Sequence, residues 1–344
     1  MQTFKIPPFN KEAAEEAYSY IQTLTKPPGS LGKLEDIAVQ LAGITGKRGA
    51  SIKKAGVLVF AADHGITEEG VSAFPQQITG QMAKNFQHEG AAINAFAKNK
   101  HAAFQLVDIG MAAELDPHFI GISRKIGNGT KNFRKESAMT KQQAEAAVNV
   151  GREEAAAFIE ANELECFITG EMGIGNTTSS SAVLAALYQV DPAEVTGAGT
   201  GLDDKGVEQK QAVIRESLAE RKPNPADVWS VLTEVGGFEI AGMTGAMLEA
   251  AQRRIPIIVD GFINTTAALA AVNLCPEIKS YLLLGHRSAE KGHAFAMEKL
   301  GLEPILDLGM RLGEGTGALL AHSIVEASSA MVIDMATFDD LAGY

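Results

Sequence analysis

Two carboxylates sit among glycines where ordinary helix is disfavoured. Glu171 lies in Gly170-Glu171-Met172-Gly173-Ile174-Gly175-Asn176-Thr177-Thr178, and Glu314 in Met310-Arg311-Leu312-Gly313-Glu314-Gly315-Thr316-Gly317-Ala318. A glycine inside a helix costs about 1 kcal/mol relative to alanine, so both stretches read as loops that open the helical runs behind them. Paired carboxylates suit glycosyl chemistry, in which one moves a proton and the other steadies an oxocarbenium-like transition state. Spacing along the chain leaves open whether the two meet in space.

The first of these loops follows an apolar run and opens a helical one. Backbone N–H groups at such a junction, with the positive end of the helix dipole, form an anion site. Its spacing approaches G-x-x-x-x-G-K-[ST], but Asn176 stands where the phosphate-binding lysine belongs. That argues against an ordinary nucleoside triphosphatase and keeps a single phosphate in play, against the plainer reading of a tight strand–helix turn with threonine caps. A second cluster, Gly197-Ala198-Gly199-Thr200-Gly201-Leu202-Asp203-Asp204, precedes a helix over 205–220 and lacks the dinucleotide-binding order. Lys210 on that helix could supply a cation or simply be solvated. Asp63, His64, His286 and His293 fit no zinc spacing, so no metal is expected.

The elements that must position these residues follow from hydrophobic runs. Apolar stretches at 55–63, 102–110, 164–171, 255–261 and 280–286 read as strands buried on both faces. Ala-rich helical stretches at 141–162, 177–189, 238–253 and 263–274 alternate with them. That alternation predicts an α/β fold, a parallel sheet with helices on both faces, whose ligands bind past the carboxyl ends of the strands. Asp63-His64, Gly170-Glu171, Asp260 and His286 fall at those ends. Residues 1–50 differ: two helices joined by "KPPGSLG" form a small helical domain completed by the C-terminal segment, with residues 51–344 as the large domain.

Composition narrows the class. Forty-six per cent of the 344 residues are hydrophobic and the net charge is −12, without the basic stripe of a nucleic-acid binder. No apolar run approaches the roughly 20 residues of a membrane span, and the opening lacks a signal-peptide core. Cys166 and Cys275 lie in apolar surroundings without CxxC spacing, as reduced buried thiols do. A cytoplasmic enzyme is the expectation.

At these residues the chain resembles the nicotinate-nucleotide–dimethylbenzimidazole phosphoribosyltransferase family of cobalamin nucleotide-loop assembly. The resemblance runs in order through "KPPGSLGKLE" (26–35), "ADHGITEEGVSAFPQQIT" (62–79), "GEMGIGNTT" (170–178), "GAGTGLDDKG" (197–206), "GGFEIAGMTGA" (236–246), "VDGFINTTAAL" (259–269), "HRSAEKGH" (286–293) and "MRLGEGTGA" (310–318). It implies a Rossmann-like large domain, a small helical one, a homodimer, and no metal or redox cofactor. It implies transfer of ribose 5-phosphate from nicotinate mononucleotide to 5,6-dimethylbenzimidazole, with inversion, giving α-ribazole phosphate and nicotinate.

By the same resemblance Glu314 is the general base and Glu171 lies by the ribose. Phe74, Met82, Met172 and Leu312 form the slot for the aromatic base. Gly173, Gly175, Asn176, Gly201 and Ser288 line the phosphate and ribose side, and Lys210 arrives from the partner subunit of a shared active site. Asp260 either contacts the nucleotide or orients its loop. Chemistry supports a single base: benzimidazole attacks through one ring nitrogen while the other sheds a proton, and nicotinate leaves from a pyridinium that needs no acid. The rivals are a transferase preferring another lower-ligand base, a nucleotide-binding regulator that would not need Glu314, and a glycoside hydrolase. One Trp and five Tyr weigh against the last, whose sugar grooves are aromatic-rich.

Overall fold

The computed structural model describes residues 4–113 and 121–341. Six strands form one sheet: β1 (Ala55–Ala62), β2 (Ala103–Gly110), β3 (Ile122–Ser123), β4 (Cys166–Met172), β5 (Ile257–Val259) and β6 (Leu282–Leu284). Their order is β3-β2-β1-β4-β5-β6 and every pairing is parallel. This is the doubly wound Rossmann order, in which chain direction across the sheet reverses between the first strand and the fourth and opens a crevice there. β5 and β6 are shorter than their apolar runs, and before β6 the residues Ser280 and Tyr281 close a 3-10 helix (Pro276–Tyr281).

Along β1, successive side chains enter opposite cores, as the two-residue period of a strand requires. Leu58, Phe60 and Ala62 pack with α5 (Lys141–Asn162), α6 (Asn176–Tyr188), α10 (Phe238–Gln252) and α11 (Phe262–Leu274). Val57, Val59 and Ala61 pack with α2 (Lys33–Thr45), α3 (Ile78–Gln87), α4 (Ala92–Lys100) and α13 (Thr316–Asp334). α7 (Pro192–Val195), α8 (Asp204–Arg221) and α9 (Val228–Val235) lie against the first layer, α12 (Lys291–Leu300) joins β6 to the Glu314 loop, and α14 (Phe338–Leu341) ends the described chain. The short helices α3 and α4 are absent from the sequence reading; their polar stretch carries too few apolar positions to show a period.

α1 (Lys11–Ile21) and α2 share a small third core with the end of α13: Ile21, Leu24, Ala38, Met331 and Val332. The chain returns here, with Thr25 N–H donating to the Ala336 carbonyl at 3.0 Å and Phe338 N–H to that of Thr23 at 2.9 Å. α2 turns Ile37 and Leu41 to the main sheet as well. By length and composition alone α13 is apolar enough to cross a membrane, although no unbroken apolar run reaches that length. Its most apolar window is mostly buried, as expected of a core helix whose Ala318, Leu319 and Val325 pack on the sheet.

Candidate active site

A cleft of about 300 Å³ opens over the carboxyl ends of β4, β5 and β6. Its wall includes Phe74, Met82, Met172 and Leu312 on the apolar side and Glu171, Gly173, Asn176, Asp260, Ser288 and Glu314 on the polar side. Two glutamates 143 positions apart in sequence thus face one cavity. Phe74 and Leu312 stand at the mouth, half or more exposed, while both glutamates are 4% exposed.

Glu314 owes its position to backbone geometry. It has φ +64°, between Gly313 at +89° and Gly315 at +86°. A non-glycine residue there carries roughly 1–2 kcal/mol of strain, a cost often tolerated at functional sites. The loop lies directly on β4: a Cβ on Gly170 would collide with the Glu314 carbonyl, and one on Gly313 with the Glu171 carboxylate. Glu314 Oε2 accepts the Ile93 N–H at 3.3 Å from the first turn of α4. Burial pushes its pKa up to about 7; the charge of Asp260 adds to the push, and the Ile93 bond opposes it.

Glu171 comes from the carboxyl end of β4, where it pairs with Phe60 of β1. Its Oε1 receives the Glu314 N–H at 3.4 Å, and Asn176 donates to its Oε2. Burial raises its pKa to about 8, assisted by the negative charges of Asp260, Glu239 and Glu314. Among these neighbours the acid is therefore mainly protonated at neutral pH. A cationic substrate seated against it would favour the carboxylate.

Asp260 follows β5 and turns both oxygens to the start of α13: Gly315 N–H at 3.1 Å and Ala318 N–H at 2.9 Å. Of its two possible roles, orienting the loop is thus built into the structure. His286, after β6, lies with Nε2 3.3 Å from Asp260 Oδ1. Burial works against its charge, but Asp260 prevails and its pKa is raised. His293 differs. Burial and the nearby His286 lower its pKa to about 4, its Nδ1 accepts the Ser288 N–H at 2.8 Å, and Nε2 contacts Thr265 Oγ1 at 3.0 Å. It is a neutral structural imidazole that fixes the Ser288 turn. His64 pairs with Glu239 at 2.8 Å beneath the Gly173–Gly175 loop.

On the opposite wall, Thr177, Gly199 and Thr200 line the cleft and Arg311 donates to the Gly199 carbonyl at 2.9 Å, tying two glycine-rich loops together. Lys210 lies one layer behind. Its Nζ donates to Thr177 Oγ1 at 2.8 Å, it is 1% exposed, and it forms no ion pair among the described residues. Burial lowers its pKa to about 8 against the opposing pull of Glu290. Within its own chain the amine turns inward, toward the Thr177 side of the cleft wall. Gly175 and Gly201 also fall outside the lining, the first as the N-cap of α6 at φ +98°, the second in an open turn at φ +121°.

Sequence reasoning missed Thr177, Gly199, Asn264, Glu290 and Arg311 as lining residues, although each lies inside a quoted motif. It also missed the Ile93 N–H, for which no signal existed, since a backbone donor leaves no mark on residue identity. Among the described residues no group of three or more His, Cys, Asp or Glu is arranged to hold a metal ion.

A family model described as a phosphoribosyltransferase matches residues 6–342. The nicotinate-nucleotide–dimethylbenzimidazole phosphoribosyltransferase of Chloroflexus aurantiacus is 48% identical over 97% of this chain and 95% of its own. The protein of that name from a Roseiflexus species is 48% identical over 98% and 95%. The crystal structure of CobT from Thermus thermophilus superposes with a TM-score of 0.92 at 40% identity, covering 96% of this chain and 98% of that one. With such identity along nearly the whole of both chains, and a common fold, the chain belongs to the nicotinate-nucleotide–dimethylbenzimidazole phosphoribosyltransferase family.

Proposed function

We propose that this chain moves ribose 5-phosphate from nicotinate mononucleotide to 5,6-dimethylbenzimidazole, within cobalamin synthesis. The observation that carries the reading is the pairing of Glu314 with Glu171 on one buried wall, opposite a cation-backed loop. The bond from the anomeric carbon to the pyridinium nitrogen breaks and its electron pair stays on nicotinate. A benzimidazole nitrogen attacks the opposite face, and its second ring nitrogen gives its proton to Glu314. A base near pH 7 is matched to that task. Glu171, ionised once the cationic nucleotide is seated, faces the positive charge that grows on the ribose.

Phe74, Met82, Met172 and Leu312 offer the acceptor ring an apolar slot, with flexible thioethers suited to ring faces. Thr177, the Gly173–Asn176 turn and Lys210 behind them supply donors and charge for the phosphate. Ser288 and Asp260 border the ribose side, and Gly175 and Gly201 shape the turns. A cytoplasmic homodimer belongs to the same reading, with each cleft drawing its lysine from its own chain, and the small helical domain of residues 1–50 completed by the C-terminal segment.

The test is product identification from nicotinate mononucleotide with dimethylbenzimidazole, adenine or a phenolic acceptor. α-Ribazole phosphate and nicotinate in equal amounts support the reading. Preference for another acceptor would keep the transferase and change its base. Nucleotide binding without turnover on any acceptor would favour a regulator.

A further inference from the structure

Asp260 and His286 surround the loop that carries Glu314 without themselves extending it. Asp260 is fully buried and receives two N–H groups from the first turn of α13, Gly315 and Ala318. A carboxylate at a helix N-terminus is well placed for the helix dipole, yet this one stands beside two further buried acids, Glu171 and Glu314. A positive neighbour would offset the charge that these three acids bring together. The nearest side chain able to carry positive charge is His286, with Nε2 3.3 Å from Oδ1 and a pKa raised by Asp260 against the opposing effect of burial. Its ring is wedged under the same turn: a Cβ on Gly317 would collide with the imidazole, and one on Gly261 would lie 3.3 Å from Nε2. The two residues hold α13 from below by charge and by shape.

We infer that His286 is a positioning residue for Glu314, acting through Asp260: the imidazolium keeps the Asp260 carboxylate clamped on Gly315 and Ala318 and offsets its charge. The inference rests on the reading of Glu314 as the base. Loss of the imidazolium leaves Asp260 uncompensated. Its charge then bears fully on Glu314, and its hold on the helix start loosens. The other groups within electrostatic reach of His286 are Asp307, Arg287 beside it and His293 of α12; Glu314 is reached by Glu171 and Asp260 and has Arg311 on its own loop. Asp307 pairs with Arg287 at 3.4 Å, which leaves Asp260 as the anion His286 serves.

The experiment is the pH profile of single-turnover base transfer for wild type, His286→Asn, His286→Gln, Asp260→Asn and Glu314→Gln, each checked for folding by circular dichroism. In wild type the rate rises with pH through the ionisation of Glu314. His286→Asn should lower the plateau about 10- to 100-fold, leave the KM for nicotinate mononucleotide within about threefold, and move the limb to higher pH by roughly half to one unit. His286→Gln, an uncharged side chain able to donate to Asp260, should regain part of the plateau and keep the displaced limb. Asp260→Asn should move the limb the other way, since a negative neighbour of Glu314 is gone. A structural defect alone would lower the plateau and leave every limb in place, which overturns the inference, as would a folded His286→Asn with wild-type rate and limb. If Glu314→Gln itself retains the acidic limb at undiminished rate, it is the assignment of the base that fails.

Discussion

The backbone N–H of Glu314 points at Oε1 of Glu171 across 3.4 Å, while Asn176 holds the other oxygen of the same carboxyl. The loop bearing one acid is thereby docked on the side chain of the other. This contact joins the fourth strand to the start of α13 and places two buried carboxyls on one wall, each raised in pKa chiefly by burial.

The first consequence concerns stability. Glu171 titrates near 8 in the folded chain against 4.5 unperturbed. Between those values the native state holds a proton that the unfolded state has lost, so stability falls as pH rises through that window. Glu171→Gln removes this dependence. Its melting temperature should decline less than that of wild type between pH 5 and 8, a difference on the order of a few kcal/mol at the alkaline end. The same variant should slow transfer roughly 10²-fold through loss of the carboxylate facing the ribose. Parallel melting curves for the two proteins would refute the buried acid.

How much of this was legible in the sequence follows from what each feature is made of. The parallel strands announced themselves because doubly buried strands are unbroken apolar runs, and Glu171 and Glu314 because glycine loops at strand and helix ends are rare enough to notice. Phe74, Met82, Met172 and Leu312 came from resemblance alone; an apolar residue carries no mark that distinguishes cleft from core. The burial of Lys210 was not legible, because a lysine in a polar helix is normally solvated, and only packing shows that its amine turns to Thr177. The clamp from Asp260 to the Gly315 and Ala318 N–H groups was invisible, since backbone donors belong to every residue.

Lys210 gives the second prediction. A buried amine with its pKa pulled from 10.5 to about 8 costs stability while it is charged, and the cost fades as pH rises through the window between those values. Lys210→Met should therefore be more stable than wild type at pH 7, by about 1–3 kcal/mol, yet raise the KM for nicotinate mononucleotide roughly tenfold or more. Because Lys210 backs the cleft of its own chain, mixing this variant with Glu314→Gln should restore no activity beyond the sum of the two. Recovery in the mixture would return the lysine to the neighbouring subunit.

Phe74 stands half-exposed at the cleft mouth. Phe74→Ala should leave the fold unchanged and raise the KM for the benzimidazole about three- to tenfold, the worth of one aromatic contact, with little change in kcat. An unchanged KM would remove Phe74 from the acceptor slot.

Gly170 tests the close approach of the Glu314 loop. Gly170→Ala drives a methyl group against the Glu314 carbonyl, a backbone atom that cannot yield as a flexible side chain can. It should destabilise by roughly 2–4 kcal/mol and slow transfer even in the folded fraction, measurable by activity normalised to native circular dichroism. Wild-type specific activity would show that the loop need not be held this tightly.

The most direct test of the whole account is single-turnover transfer by Glu314→Gln, with nicotinate mononucleotide binding measured on the same sample. Glutamine keeps the shape of the side chain and removes the proton acceptor. The account predicts binding within about threefold of wild type and a transfer rate lower by roughly 10²–10⁴. Transfer at the wild-type rate in a folded, nucleotide-binding Glu314→Gln protein would contradict it.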